Sequence, residues 1–190
     1  MGLVYMIASG KGGTGKTSVS AGLASALSIL GRKVCAVDMD AGLPNLDLVL
    51  GMPEAGIIDF ADVALGSKSL EEAVTAHPHL PRLYYLGAPD AIRAESVSLE
   101  AFQEMVKALS EQFDYCILDV PAGVGPFFSL AASVADRALL VATPDTPCLR
   151  DAGTVLAELT RLEIEDVRLV LNMVDKSRVA RKNAYNIDQS

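Results

Sequence analysis

The sequence predicts an α/β fold, a three-layer, predominantly parallel sheet with helices on both faces. Three observations predict it. Apolar runs of strand length alternate with helix-length stretches along the 190 residues. Those runs are rich in Val, Leu, Ile and Ala, as strands buried on both faces are. The residues suited to chemistry fall where predicted strands end, which is where open parallel sheets place their ligands.

Strands are expected from Leu3 to Ser9, Lys33 to Asp38, Leu83 to Gly87, Tyr115 to Asp119, Arg137 to Thr143 and Arg168 to Asn172. Between them, the stretches from Lys16 to Leu30, Leu99 to Gln112 and Asp151 to Leu162 carry apolar residues at helical spacing, and Gly31 stands where a C-terminal cap belongs. Alternating strands and helices imply parallel pairing through right-handed crossovers. The segment from Gly51 to Pro81 reads as loops and short helices laid over the sheet. No repeat, low-complexity tract or linker interrupts the chain, so residues 1–190 are expected to form one domain. The polar stretch after Asn172 carries no terminal element, and the chain is expected to be a truncated form of something longer.

Composition narrows the partners. A formal charge of −8 gives little non-specific attraction to nucleic-acid phosphates or anionic lipid, so no nucleic acid is expected as partner. The clear basic cluster, Lys176, Arg178, Arg181 and Lys182, reads as a solvated helix face. Three cysteines are too few for a disulfide framework. Cys35 and Cys116 lie inside apolar runs, which implies a reduced, cytoplasmic protein with structural thiols. His77 and His79 likewise have no partners at metal-ligand spacing. The chain opens on a strand without a basic leader, so no signal peptide is expected. No apolar run reaches the roughly 18 residues of a membrane span.

The most specific signal is Gly10-Lys-Gly-Gly-Thr-Gly-Lys-Thr17, which satisfies G-x-x-x-x-G-K-[ST] between a predicted strand and a predicted helix. Glycines at Gly10, Gly12, Gly13 and Gly15 let backbone N–H groups turn inward around phosphates, and the following helix aims its positive end there. With Thr14 they form a cradle of backbone. Lys16 brings a full charge toward the β and γ phosphates, the Thr17 hydroxyl can ligate Mg²⁺, and Ser18 can reach the α-phosphate. Lys11 is unusual, because a lysine at the loop's tip cannot easily reach the phosphates that its own loop encloses. Its natural target is the site of a second copy facing it across a two-fold axis, as an arginine finger supplied in trans.

Carboxylates stand at two further strand ends: Asp38-Met-Asp40 and the terminal acid of Cys116-Ile-Leu-Asp119. Magnesium retains several waters, so such carboxylates can hold it through water while Thr17 and phosphate oxygens ligate directly. One of Asp38 and Asp40 can instead orient an attacking water, and strand alternation points the two in similar directions.

These residues resemble the deviant Walker A (MinD/ParA) ATPases, a family of P-loop NTPases, and within it the MinD-type septum-site-determining ATPases. The resemblance rests on Lys11-Gly-Gly-Thr-Gly-Lys-Thr17, on Asp38-Met-Asp-Ala-Gly-Leu-Pro-Asn-Leu-Asp47 with Leu-Val-Leu-Gly51, on Asp119-Val-Pro-Ala-Gly123, and on Thr143-Pro-Asp145 with Arg150-Asp-Ala152. It implies ATP/ADP and Mg²⁺ as cofactors, with Lys11 acting across a homodimer in the ATP state. It further implies Asp40 on the hydrolytic water, Asp38 and Asp119 on hydrated Mg²⁺, and Asn172 on adenine. Asp38 to Asp47 would be switch I and Asp119 to Gly123 switch II, ordering around the γ-phosphate and relaxing on hydrolysis. MinC-like and MinE-like regulators are implied as partners, with peripheral inner-membrane association for a full-length form through a C-terminal amphipathic helix that this chain lacks.

The sequence departs from the family's pattern at Pro44, where arginine is common, and at Thr14, where valine is commoner. The rival readings are a ParA-like or FlhG-like positioning ATPase, and a nucleotide-dependent scaffold with negligible turnover. A cluster reductase of the nitrogenase iron protein kind needs more cysteines than Cys148 supplies, and a small-molecule kinase needs an acceptor pocket and lid of which the sequence gives no sign.

Overall fold

The computed structural model of the protein describes residues 1–41, 43–55, 57–89 and 96–175. The basic cluster from Lys176 to Lys182 lies outside them. Seven strands form one sheet among these residues: β1 (Leu3–Ala8), β2 (Val34–Asp38), β3 (Thr75–Ala76), β4 (Leu83–Leu86), β5 (Tyr115–Asp119), β6 (Arg137–Ala142) and β7 (Asp166–Leu171). Their spatial order is β3-β4-β2-β5-β1-β6-β7, parallel throughout except for the β3–β4 pair. Helices α1 (Lys16–Ile29), α2 (Leu46–Leu50), α3 (Phe60–Ala64), α4 (Leu70–Ala73), α5 (Leu99–Gln112), α6 (Pro126–Ala132) and α7 (Thr146–Arg161) connect them.

The strands read as continuous apolar runs because both faces of the sheet are covered. Alternate residues go to opposite layers. Met6, Cys35, Cys116 and Leu118 join the core that holds Phe60, Phe102, Leu109, Phe128 and Leu159. Their neighbours Ile7, Ala36 and Ile117 pack on the other side with Ala21 and Ala24 of α1 and Leu46 and Leu50 of α2. The two layers of helices and the sheet between them are the three layers expected.

Local chemistry explains the element ends. Gly31 follows α1 with φ 82°, the left-handed cap that its position predicts. Asp59 and Ser69 open α3 and α4 with reciprocal capping boxes to Asp62 and Glu72. Helix α7 begins at Thr146, five residues before the expected start at Asp151. Asp145 is its N-cap, accepting from the Cys148 N–H at 3.1 Å, and Pro147 fits the first turn, where its missing N–H costs nothing. Helix α6 and the two-residue β3 are too short for periodicity to reveal. Strand β7 begins two residues before its expected start and ends at Leu171, leaving Asn172 just past it.

The cysteines and histidines have the structural roles expected. Cys35 and Cys116 are in-register neighbours on β2 and β5, fully buried, and burial pushes the Cys116 thiol up to about 12. His77 Nδ1 accepts the N–H groups of His79 and Leu80, which leaves Nε2 to donate to the Leu50 carbonyl at 2.9 Å. No helix among the described residues is long and apolar enough to cross a membrane.

Phe102 is fully buried and meets Phe60 edge-on, with ring centroids 5.9 Å apart. Phe102→Ala removes that contact and leaves a cavity between α3 and α5, so chemical denaturation is expected to show a loss of roughly 3–5 kcal/mol.

Candidate functional site

The site is built where β1 hands the chain to α1. Residues 9–15 turn back over the sheet, with Gly13 (φ 77°) and Gly15 (φ 83°) in the left-handed region that a residue with a Cβ avoids. Gly15 is also the N-cap of α1 and supplies no side-chain bond, and the first turn carries no acidic residue, so the helix's leading N–H groups are left for an anion. Two neighbours crowd the loop from outside. A Cβ on Gly10 would run into the Asp151 backbone of α7, and one on Gly15 would run into the Asn172 amide.

Lys16, the first residue of α1, is buried and donates from Nζ to Asp119 Oδ1 at 2.9 Å. Ser20, one helical turn on, donates to the same oxygen at 2.7 Å. Asp119 Oδ2 is buried without a hydrogen-bond partner. Such an atom is costly unless something positive or protic meets it.

The carboxylates at the end of β2 have separate tasks. In-register pairing of β2 with β5 sets Asp38 beside Asp119. Asp38 is fully buried; its Oδ1 accepts the Asp40 N–H at 2.9 Å, and its Oδ2 accepts the Asn45 and Leu46 N–H groups, both at 3.0 Å. It therefore folds the loop back and caps α2. Asp40 is half-buried and lines the cleft. The two acids thus have different surroundings: the strand ends at Asp38, which is enclosed by backbone N–H groups, and Asp40 follows it in the turn and opens on the cleft. Burial pushes the Asp38 carboxyl up to about 6, against the three N–H donors and with a smaller contribution from Asp119. Burial also raises Asp40, opposed by the nearby Lys16 charge.

A cleft of about 330 Å³ lies over the loop, lined by residues 11–18 together with Asp40, Asn45, Val49 and Ala122. Lys11 is exposed at its rim. Lys11 to Ser18 and Asp40 are thus brought together at the cleft with Ser9, Gly10 packs against α7 instead, and Asp119 joins the loop through Lys16 with Asp38 as its neighbour in the sheet. Asn172 stands apart. Its side chain does not line the cleft but donates to the Thr14 carbonyl at 2.9 Å from behind the loop. The sequence reading missed Ser20, whose i+4 spacing from Lys16 was the available signal, and Asn45 and Val49, which reach the cleft only because Asp38 folds the loop.

The Asp38 value has a consequence for nucleotide-free protein. The folded value lies above the ordinary one, so the folded state binds the extra proton between about pH 4 and pH 6. This carboxyl's contribution to stability is fully present below the unfolded value and is lost as pH rises through about 6. Carboxyl NMR of the metal- and nucleotide-free protein is expected to give an Asp38 midpoint near 6; a midpoint near the ordinary value of about 3.9 would show that burial does not dominate.

The CobQ/CobB/MinD/ParA nucleotide binding domain matches residues 5–190. The septum site-determining protein MinD of Bacillus subtilis is 39% identical over 191 aligned residues, which cover 100% of this chain and 71% of the relative. In the MinC:MinD cell division protein complex of Aquifex aeolicus, the matching chain superposes with a TM-score of 0.89 at 31% identity, covering 98% of this chain and 75% of that one. MinD of Pyrococcus horikoshii, solved complexed with Mg-ADP, superposes with a TM-score of 0.79 at 35% identity, covering 90% of this chain and 70% of that one. The phosphate loop, the strand-end carboxylates and these matches, which span most of this chain and about 70–75% of the relatives, place the chain in the CobQ/CobB/MinD/ParA nucleotide-binding family, among its MinD-type ATPases.

Proposed function

We propose that this MinD-type ATPase, whose family role is division-site placement, works as a dimerisation switch that binds Mg²⁺ and ATP and is reset by hydrolysis. The observation that carries the reading is the division of labour between two lysines of one loop. Lys16 is buried against Asp119, whereas Lys11 is exposed at the cleft's rim.

The residues suit these roles. Loop N–H groups and the start of α1 bind phosphate oxygens. The Lys16 ammonium has three donors, of which Asp119 uses one, so Asp119 orients the others toward phosphate. No group of three or more His, Cys, Asp or Glu side chains among the described residues is placed to chelate a metal alone. The donor set instead fits Mg²⁺ arriving with phosphate oxygens and its own waters: Thr17 lies in the cleft, and buried Asp119 Oδ2 lacks a partner. Thr17 would ligate directly, with Asp38 and Asp119 acting through water. The chemistry that Mg²⁺ would supply there is neutralisation of phosphate charge. Asp40, raised by burial and open to the cleft, orients the attacking water. Lys11 enters the partner's site and stabilises charge there.

Hydrogen bonds join the moving parts. The Met39 N–H donates to the Asp119 carbonyl at 3.0 Å, and the Gly123 N–H donates to the Ser9 carbonyl at 2.8 Å. The segments after β2 and β5 are therefore tied to each other and to the phosphate loop, so a displacement at the phosphate reaches both. The Aquifex protein was solved with MinC, which supports a MinC-like partner for this chain. A MinE-like regulator rests on the family resemblance.

Sedimentation with Mg²⁺ and ATP, ADP or no nucleotide tests the switch. Wild type is expected to dimerise with ATP only. Asp40→Ala is expected to bind ATP, lose at least about 100-fold in turnover and stay dimeric longer. Lys11→Ala is expected to bind ATP yet remain monomeric, with turnover lowered about a thousandfold or more. Turnover unchanged in Asp40→Ala would favour a scaffold.

A further inference from the structure

We propose that Asn172 is a positioning residue that holds the phosphate loop in its binding geometry from behind, so that it governs affinity for phosphates even where no base is present. The proposal rests on the phosphate-loop reading above and adds to it.

Asn172 is itself held in place. Its backbone N–H donates to the Ala142 carbonyl at 2.8 Å, extending the β6–β7 ladder one residue past the end of β7. The chain then turns at Met173 in the left-handed region (φ 55°). From this fixed point the side-chain amide donates to the Thr14 carbonyl at 2.9 Å, across 158 residues of sequence. The same amide occupies the space that a Cβ on Gly15 would need. Asn172 thus touches the two residues immediately before Lys16, one by hydrogen bond and one by packing. Thr14 is 2% exposed, and its hydroxyl has no hydrogen-bond partner. The Asn172 bond is therefore the polar contact shown for a residue that the loop otherwise buries at a cost.

The loop's amides must all point inward at once to bind an anion, and a Gly-rich segment has many other conformations available. A strut on the Thr14 carbonyl fixes the peptide plane between Thr14 and Gly15, and so the direction of the Gly15 N–H that belongs to the same plane. A contact to the base alone would leave phosphate affinity unchanged when lost.

The test uses Asn172→Asp, which keeps the shape but replaces the donor with an acceptor, and Asn172→Ala. Titration calorimetry measures Mg-ATP and inorganic tripolyphosphate, which has no base. Both ligands are expected to weaken by a similar factor, about tenfold, consistent with losing one partly buried hydrogen bond and leaving the Thr14 carbonyl without that donor. In nucleotide-free protein, hydrogen exchange at Gly15, Lys16 and Thr17 is expected to speed up in both variants while the amides of α5 keep their protection. Tripolyphosphate affinity that is unchanged while ATP weakens would overturn the proposal in favour of base recognition. Unchanged exchange at the loop would overturn it too. Failure of wild type to bind either ligand would instead overturn the phosphate-loop reading, and the exchange comparison would still decide whether Asn172 is a strut.

Discussion

The arrangement of the site depends on one buried ion pair. Lys16 opens the first helix, and Asp119 closes the central strand that pairs with both β1 and β2. Their bond, shared with Ser20, fastens the helix that carries the phosphate loop to the middle of the sheet. Removing one partner of such a pair typically costs about 3–5 kcal/mol, because the other charge is left buried and unpaired. The pair is therefore poor ground for arguing overall stability. It is good ground for arguing position, since the bond ties the first residue of α1 to the last residue of β5.

Around that pair, negative charge outnumbers positive. Asp38 and Asp119 are in-register neighbours, Asp40 lies at the cleft, and Lys16 is the buried cation among them. Three backbone donors favour the ionised form of Asp38, while burial, with a smaller contribution from Asp119, pushes its carboxyl the other way, up to about 6. The same bonds draw the Asp40, Asn45 and Leu46 backbone in around the Asp38 carboxylate. An acid that looks like a metal ligand in sequence is thus also the anchor of the segment expected to respond to nucleotide.

The sheet's two-sided burial explains how a few residues from distant parts of the chain meet. Because β1, β2, β5, β6 and β7 run parallel, the residues at or just past their carboxyl ends, Ser9, Asp38, Asp119 and Asn172, emerge on one edge of the sheet. The helices set the depth of that edge. Helix α7 presses its Asp151 backbone against Gly10, and β7 delivers Asn172 to Gly15, so the loop is bounded on both sides by elements much later in the sequence.

The sequence by itself determined the layered α/β fold, six of the seven strands and the phosphate loop, because these depend on short-range patterns: continuous apolar runs, helical spacing, and glycines placed before a lysine. It marked Lys11, Lys16, Asp40 and Asp119 through their positions at strand ends. It did not show that α7 starts at Thr146 or that α6 exists, since caps and short helices leave too few turns for a periodic signal. The tertiary structure alone decided that Asp38 is enclosed by loop amides while Asp40 opens on the cleft, that Ser20 shares the bond of Lys16 to Asp119, and that Asn172 donates to the Thr14 carbonyl. Each of these is a hydrogen bond or a turn away from regular structure, and hydrogen bonds between residues as far apart as 158 positions leave no trace in local pattern.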